Sequence, residues 1–169
     1  PGDKDGALRL ARRLVEVQPR RLGAEHPQTL AERNNLGTML IDSGKPAQAL
    51  QILQSVLEAR QRVLGDDNPQ TIRTKLNLST LYARVGKFDK AMALQAEVVE
   101  ARTRLLGPRH PDTIYILVNQ AATRHTAGKS KQSLALLERV LPLAREVLGD
   151  RHPQTQAALQ IRADDADEL

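Results

Sequence analysis

Apolar residues return along this chain with helical spacing, broken at even intervals by short polar stretches. From Pro46 to Leu64, the positions Ala49, Leu50, Leu53, Val56, Leu57, Val63 and Leu64 fall on one wide face. Ala91, Met92, Val98, Val99, Leu105 and Leu106 form a second such face, and Leu134, Leu137, Val140, Leu141, Val147 and Leu148 a third. No stretch sustains the alternation of a half-buried strand. The pattern predicts an all-α chain.

The breaks recur as well. LGAEHPQT begins at Leu22, LGDDNPQT at Leu64, LGPRHPDT at Leu106 and LGDRHPQT at Leu148, a spacing of 42 residues each time. Gly44-Lys45, Gly86-Lys87 and Gly128-Lys129 keep the same step, as do Asn35, Asn77 and Asn119. A fixed period of this length marks a repeat architecture. Each period divides into two helices, Pro27 to about Ser43 and then Pro46 to about Leu64 in the first cycle. Gly44 suits the left-handed residue that ends a helix, and Pro46 the first turn of the next. One helix pair cannot bury such a face alone, whereas stacked pairs can. The expected organisation is one solenoid domain over 1–169. It holds an incomplete repeat at 4–22, full repeats at 27–64, 69–106 and 111–148, an incomplete repeat at 153–163 and an acidic tail at 164–169. That makes about eight helices. Pro19 and Pro142 lie inside helical patterns and are expected to kink or interrupt them. The tail is expected to fray, and neither end has the look of a polar cap.

Composition narrows the function classes. Phe88, Tyr82 and Tyr115 are the only aromatics, so the core must be aliphatic. There is no cysteine, which removes disulfides and thiolate metal sites. No apolar run approaches the roughly 18 residues of a membrane span, and no signal peptide is recognisable at the first residues. A cytoplasmic location and no membrane association are expected. Net charge is +5, but the arginines are dispersed among acids and lack the aromatics that stack bases, which disfavours nucleic acid as a partner. The chain opens at Pro1 without Met. It is expected either to continue beyond these limits or to pair end to end with another copy.

Leu36-Gly37, then Gly44-Lys45, then Ala49 and Leu53 resemble a tetratricopeptide repeat. The 42-residue period, the LGxxHPxT octet and Asn34-Asn35-Leu36 resemble the kinesin light chain type of that family. The resemblance covers nearly the whole chain. It implies a right-handed superhelix of stacked antiparallel helix pairs whose first helices line a concave groove. It also implies a non-catalytic scaffold that binds a protein or peptide there, with the three aligned asparagines able to hydrogen-bond an extended backbone. A competing reading makes the repeats the regulatory or sensor region of a larger signalling protein, a kinase or ATPase. Repeat three departs from the pattern, with Arg124 in the column of Leu40 and Tyr82, and Gln120 in the column of Leu36 and Leu78.

The residues themselves offer little catalysis. His26, His110 and His152 occupy the octet, but Asn68 replaces His in the second copy. Asn and His can both cap a helix, whereas a metal ligand would not survive that exchange. His125, beside Arg124, has no acid at a spacing that suggests a triad, and is expected at an exposed or groove-edge position. Gly128-Lys129-Ser130 lacks the first glycine of a phosphate loop. No catalytic residue, metal site or cofactor is expected. Asn35, Asn77 and Asn119 are more informative, because asparagine is a poor mid-helix residue. Steps of three, four and seven from each reach Ala31, Thr38 and Asp42, then Arg73, Thr80 and Arg84, then Tyr115, Ala122 and Thr126. Arg73 and Arg84 make the middle of this face basic, which points to a ligand carrying carboxylates.

Overall fold

The computed structural model describes residues 4–168, and the elements are those the periodicity predicts. Eight helices occur among the described residues: α1 (Lys4–Leu22), α2 (Pro27–Asp42), α3 (Pro46–Leu64), α4 (Pro69–Arg84), α5 (Phe88–Leu106), α6 (Pro111–Thr126), α7 (Ser130–Leu148) and α8 (Pro153–Asp167). No strand is present among them. The even-numbered helices are the first members of each repeat, and the odd-numbered ones the second.

The breaks form by the chemistry expected of them. Gly44 takes φ +68°, a region closed to most side chains. That turn lets the Lys45 N–H reach back 2.9 Å to the Leu40 carbonyl and the Gly44 N–H 3.1 Å to the Ile41 carbonyl, satisfying carbonyls at the end of α2. Lys87 repeats the first bond to Tyr82, and Lys129 to Arg124, each at 2.8 Å. The octets also close on themselves. Thr29 Oγ1 donates to the Gly23 carbonyl and Thr113 Oγ1 to the Gly107 carbonyl, each at 2.9 Å, and both threonines are fully buried.

Contacts divide the chain into two compact units, Pro1–Leu81 and Tyr82–Leu169. In the first, α2 packs on α1 and α3. Leu30 of α2 meets Val56 and Ala59 of α3, with Ile52 beside them. Thr74 of α4 donates 3.3 Å to the Asn34 side-chain oxygen on α2, which ties successive first-type helices together. In the second unit, α6 packs on α5, α7 and α8, and α7 on α8. Ile114, Val118 and Ala121 of α6, Leu137, Val140, Leu141 and Ala144 of α7, and Ala158 of α8 form its core. These are the stacked helix pairs of an α-solenoid.

Three expectations are corrected. Pro19 and Pro142 do not interrupt helices α1 and α7. Pro142 and Glu138, four residues earlier, are both exposed, so water can satisfy the carbonyl the proline leaves free. Val63, Leu105 and Leu106 are exposed rather than core. These side chains sit on the last turns of the 19-residue helices α3 and α5. The acidic segment does not fray: α8 continues to Asp167, and Asp165 is fully buried; Leu169 lies outside the described residues. On α8, Gln156, Gln160, Ala163 and Asp167 are all exposed, in register with Leu30, Asn34, Gly37 and Ile41 of α2. By contrast α1 exposes Leu10, Leu14, Val17 and Leu22.

Candidate functional site

The side chains expected to bind a ligand are accessible in both units. In the first, Asn35, Asp42, Arg73 and Thr80 are exposed, and Thr38 and Asn77 are half-buried. Thr38 and Thr80 donate their hydroxyls to the carbonyls of Asn34 and Leu76, at 3.2 and 3.1 Å. Their oxygens remain as acceptors. In the second unit Arg84, Tyr115 and Thr126 are exposed and Asn119 is half-buried; Thr126 donates 2.9 Å to the Ala122 carbonyl. The amides of Asn35, Asn77 and Asn119 have no hydrogen-bond partner among the described residues. Their neighbour Asn34 behaves differently. It is buried and takes the Thr74 hydroxyl. Adjacent asparagines thus do opposite jobs, one joining helices and one facing solvent.

Beneath Arg73 lies a second guanidinium. Arg60 of α3 is fully buried, and its Nη1 donates 2.9 Å to the Gln70 carbonyl and 2.7 Å to Thr74 Oγ1. Its Nε and Nη2 have no partner. Burial first, and then the charge of Arg73, lower its pKa to about 10. Neither arginine pairs with a carboxylate among the described residues. Lys75 differs, its ammonium meeting Asp66 at 2.6 Å. The first unit therefore carries a local excess of positive charge at the start of α4.

The octet histidines are caps. His26, His110 and His152 each accept, through Nδ1, the backbone N–H two residues on, at 3.2, 3.1 and 3.2 Å. Asn68 Oδ1 does the same for Gln70 at 2.9 Å. One side-chain acceptor at this position satisfies a helix N–H that would otherwise lack a partner.

His125 departs from its expected place. It is half-buried in the last turn of α6, and Nδ1 lies 2.7 Å from Asp165 Oδ1 on α8. That hydrogen bond, opposed by burial and aided by the charges of Asp165, Glu168 and Asp164, holds the imidazole above its ordinary pKa. Burial alone would raise the Asp165 carboxyl, but the Ser133 hydroxyl, the His125 ring and the Ser130 hydroxyl outweigh it and hold it below the carboxylate range. The hydroxyl protons themselves are directed elsewhere, Ser130 donating to Glu168 and Ser133 to the Ala121 carbonyl. Lys129 Nζ turns away to Asp89, 3.1 Å off. A pocket of about 420 Å³, lined by Gly128, Lys129, Ser130, Lys131, Gln132 and Glu168, opens at the start of α7. Sequence spacing cannot find this cluster, because His125 and Asp165 are 40 residues apart. The register of the repeat gives a hint. Leu81, Thr123 and Asp165 share one column, Phe88 and Ser130 another, Ala91 and Ser133 a third. Polar residues enter all three only toward the last repeat.

The tetratricopeptide repeat family model matches residues 30–104 and 77–146. No curated protein matches the chain. Among solved structures, a Podosopora anserina kinesin light chain-like protein with nearly identical TPR-like repeats aligns over 98% of this chain and 78% of its own, at TM-score 0.87 and 23% identity. BtubC (BKLC) from P. vanneervenii aligns over 89% of this chain and 59% of its own, at TM-score 0.76 and 21% identity. MamA aligns over 99% and 89%, at TM-score 0.57 and 14% identity. These likenesses carry the fold. With the family model spanning most of the repeats and eight helices in the predicted register, the chain belongs to the tetratricopeptide repeat family.

Proposed function

We propose that this chain, a protein-interaction scaffold as tetratricopeptide repeats generally are, binds an extended segment of another protein on the solvent-facing side of its first-type helices, and that acidic side chains of that segment meet Arg73 in the first unit. The observation that carries the reading is the placement of Asn35 and Asn77. Both are mid-helix amides, at least partly exposed and free to donate and accept. An amide so placed costs helix stability, and an extended backbone offers the partners it lacks. Thr38, Asp42 and Thr80 flank the two amides. The second unit presents the same columns as Arg84, Tyr115, Asn119 and Thr126. The preference for carboxylates rests on Arg73, an exposed guanidinium without a carboxylate partner among the described residues, above the buried charge of Arg60. Rigid helices bring these groups pre-positioned, which lowers the ordering cost of binding.

Fluorescence polarisation against a library of extended acidic peptides tests the proposal. Asn77→Ala should weaken the selected peptide, and Arg73→Glu with Arg84→Glu should weaken it by at least ~10-fold, which is about 1.4 kcal/mol. The affinity should also fall with added salt. An unchanged affinity in the double charge reversal sinks the acidic preference. An unchanged affinity in Asn35→Ala with Asn77→Ala sinks the binding face.

A further inference from the structure

We propose that His125, Asp165 and Glu168 form a binding site for a divalent transition-metal ion of the zinc class. One ring nitrogen of His125 and one carboxylate oxygen from each acid lie within 4.8 Å of one another. Asp165 lies in the last turn of α8, and Glu168, three residues on, is the residue that caps its C-terminus. The third comes from the last turn of α6, and α6 packs directly on α8. His125 and Asp165 are thus held by two packed helices, and the exposed Glu168 follows α8 directly.

A second observation points to a ligand. Asp165 is fully buried, and its Oδ2 has no hydrogen-bond partner. A buried anionic oxygen without a donor is expensive to keep, and a cation at that oxygen removes the cost. The chemistry of the set selects the ion. A neutral imidazole with two carboxylates supplies two negative charges and one nitrogen. Imidazole suits zinc, copper and nickel, whereas calcium and magnesium favour all-oxygen shells. Bonds of about 2.0–2.2 Å place ligand atoms no more than ~4.4 Å apart across a zinc ion. The observed limit of 4.8 Å lies close to that span. Three protein donors leave one tetrahedral position for water.

The surroundings fit. The Ser130 hydroxyl donates to the Glu168 carboxylate and orients it, as partners outside the coordination shell commonly do. The Lys129 ammonium, beside the same pocket as Glu168, is engaged by Asp89. In repeat register the three donors correspond to Ala83, Thr123 and Thr126, which offer no comparable set. The metal ion takes the place of the proton now held between His125 and Asp165, and that proton leaves to solvent.

Calorimetric titration of the metal-stripped full chain with zinc chloride tests the site. One ion per chain should bind, with proton uptake by the buffer revealed by comparing two buffers of different ionisation enthalpy. Glu168→Gln alters an exposed side chain and should weaken binding at least ~10-fold, as should His125→Gln. In ring-nitrogen NMR spectra, His125 should be the histidine whose signals move at the first equivalent. Absence of stoichiometric binding overturns the proposal. So does binding that survives Glu168→Gln and His125→Gln, or binding lost when His26, His110 and His152 are replaced by Asn, since that would put the ion on the exposed caps.

Discussion

Gly37→Ala pits two effects of known size against each other. Gly37 lies mid-way along α2 and is buried. An added Cβ there would sit 2.7 Å from both Cγ and Cδ2 of Leu53. Carbon pairs prefer about 3.5–4.0 Å, so the helices must separate or Leu53 must move. Leu53 is itself fully buried and has no open side to swing toward. Overpacking of this kind costs ~1–3 kcal/mol. Against it, replacing glycine by alanine inside a helix gains about 1 kcal/mol. The net expectation is a loss of ~0–2 kcal/mol. Repeat register agrees, because the same column holds Ser79 and Ala121, both small and fully buried. Local hydrogen exchange across α2 and α3, alongside urea unfolding followed by circular dichroism, gives the magnitude. The decisive arm is Gly37→Ala in a Leu53→Ala background. Leu53→Ala alone should cost ~2–5 kcal/mol through its cavity, and the second substitution should then restore part of that loss, since the new methyl enters the space. A gain of a full 1 kcal/mol from Gly37→Ala in the wild-type background would mean Leu53 yields freely, and the packing argument would be wrong.

Three further outcomes follow from the same geometry. Gly44 has open space where a Cβ would go but φ +68°, so Gly44→Ala should destabilise by ~1–2 kcal/mol through the backbone alone, and Gly44→Asn by less; urea midpoints distinguish the two. His110→Ala should cost ~0.5–2 kcal/mol as a lost cap, while His110→Asn should be close to neutral, as Asn68 already performs the job at 2.9 Å; equal losses in both would remove the capping assignment. Asp66 is held below the usual carboxylate range by hydrogen bonds from Gln61 and then Lys75. Its contribution is therefore present above its unfolded value of about 3.9 and is lost as pH falls through the lower folded value. Asp66→Asn should make the first unit's stability less dependent on pH below ~4, and an unaltered acid limb would count against the Lys75 pairing.

Much of the fold was legible because its signals are local. Helix starts and stops are fixed by Pro, Gly and a capping side chain within a few residues of each other, and the period repeats them four times. The ends of α2 through α7 therefore fall within one residue of the expected positions where the sequence gives them. What escaped is long-range. Pro142 breaks nothing because its side of α7 meets water, and exposure is not a property of the dipeptide. Val63 and Leu105 are apolar and in phase, yet they are exposed on the last turns of α3 and α5. For the candidate binding face, the column was legible from the Asn register, but the divergence of Asn34 and Asn35 was not. It depends on Thr74, 40 residues away.

The last repeat shows how such long-range pairing could be read from one chain. Where Leu53 and Leu81 occupy two columns in the first cycle, Gln95 and Thr123 occupy them in the next. The structure joins that second pair at 2.9 Å, Gln95 Nε2 donating to Thr123 Oγ1. One polar residue entering a packed column is answered by another in the column it faces, because a buried group left alone costs more than the pair. Asp165 extends the Thr123 column by one more step, and it too is answered, by His125 where the preceding repeat has Ala83 and by Ser130 and Ser133 where it has Phe88 and Ala91. The answer is incomplete in one respect: Oδ2 remains unpartnered. A carboxylate is a larger demand than a hydroxyl, carrying a full charge and about four acceptor positions. Uncharged donors on α7 and one imidazole leave part of that demand unmet, and a divalent cation would meet it.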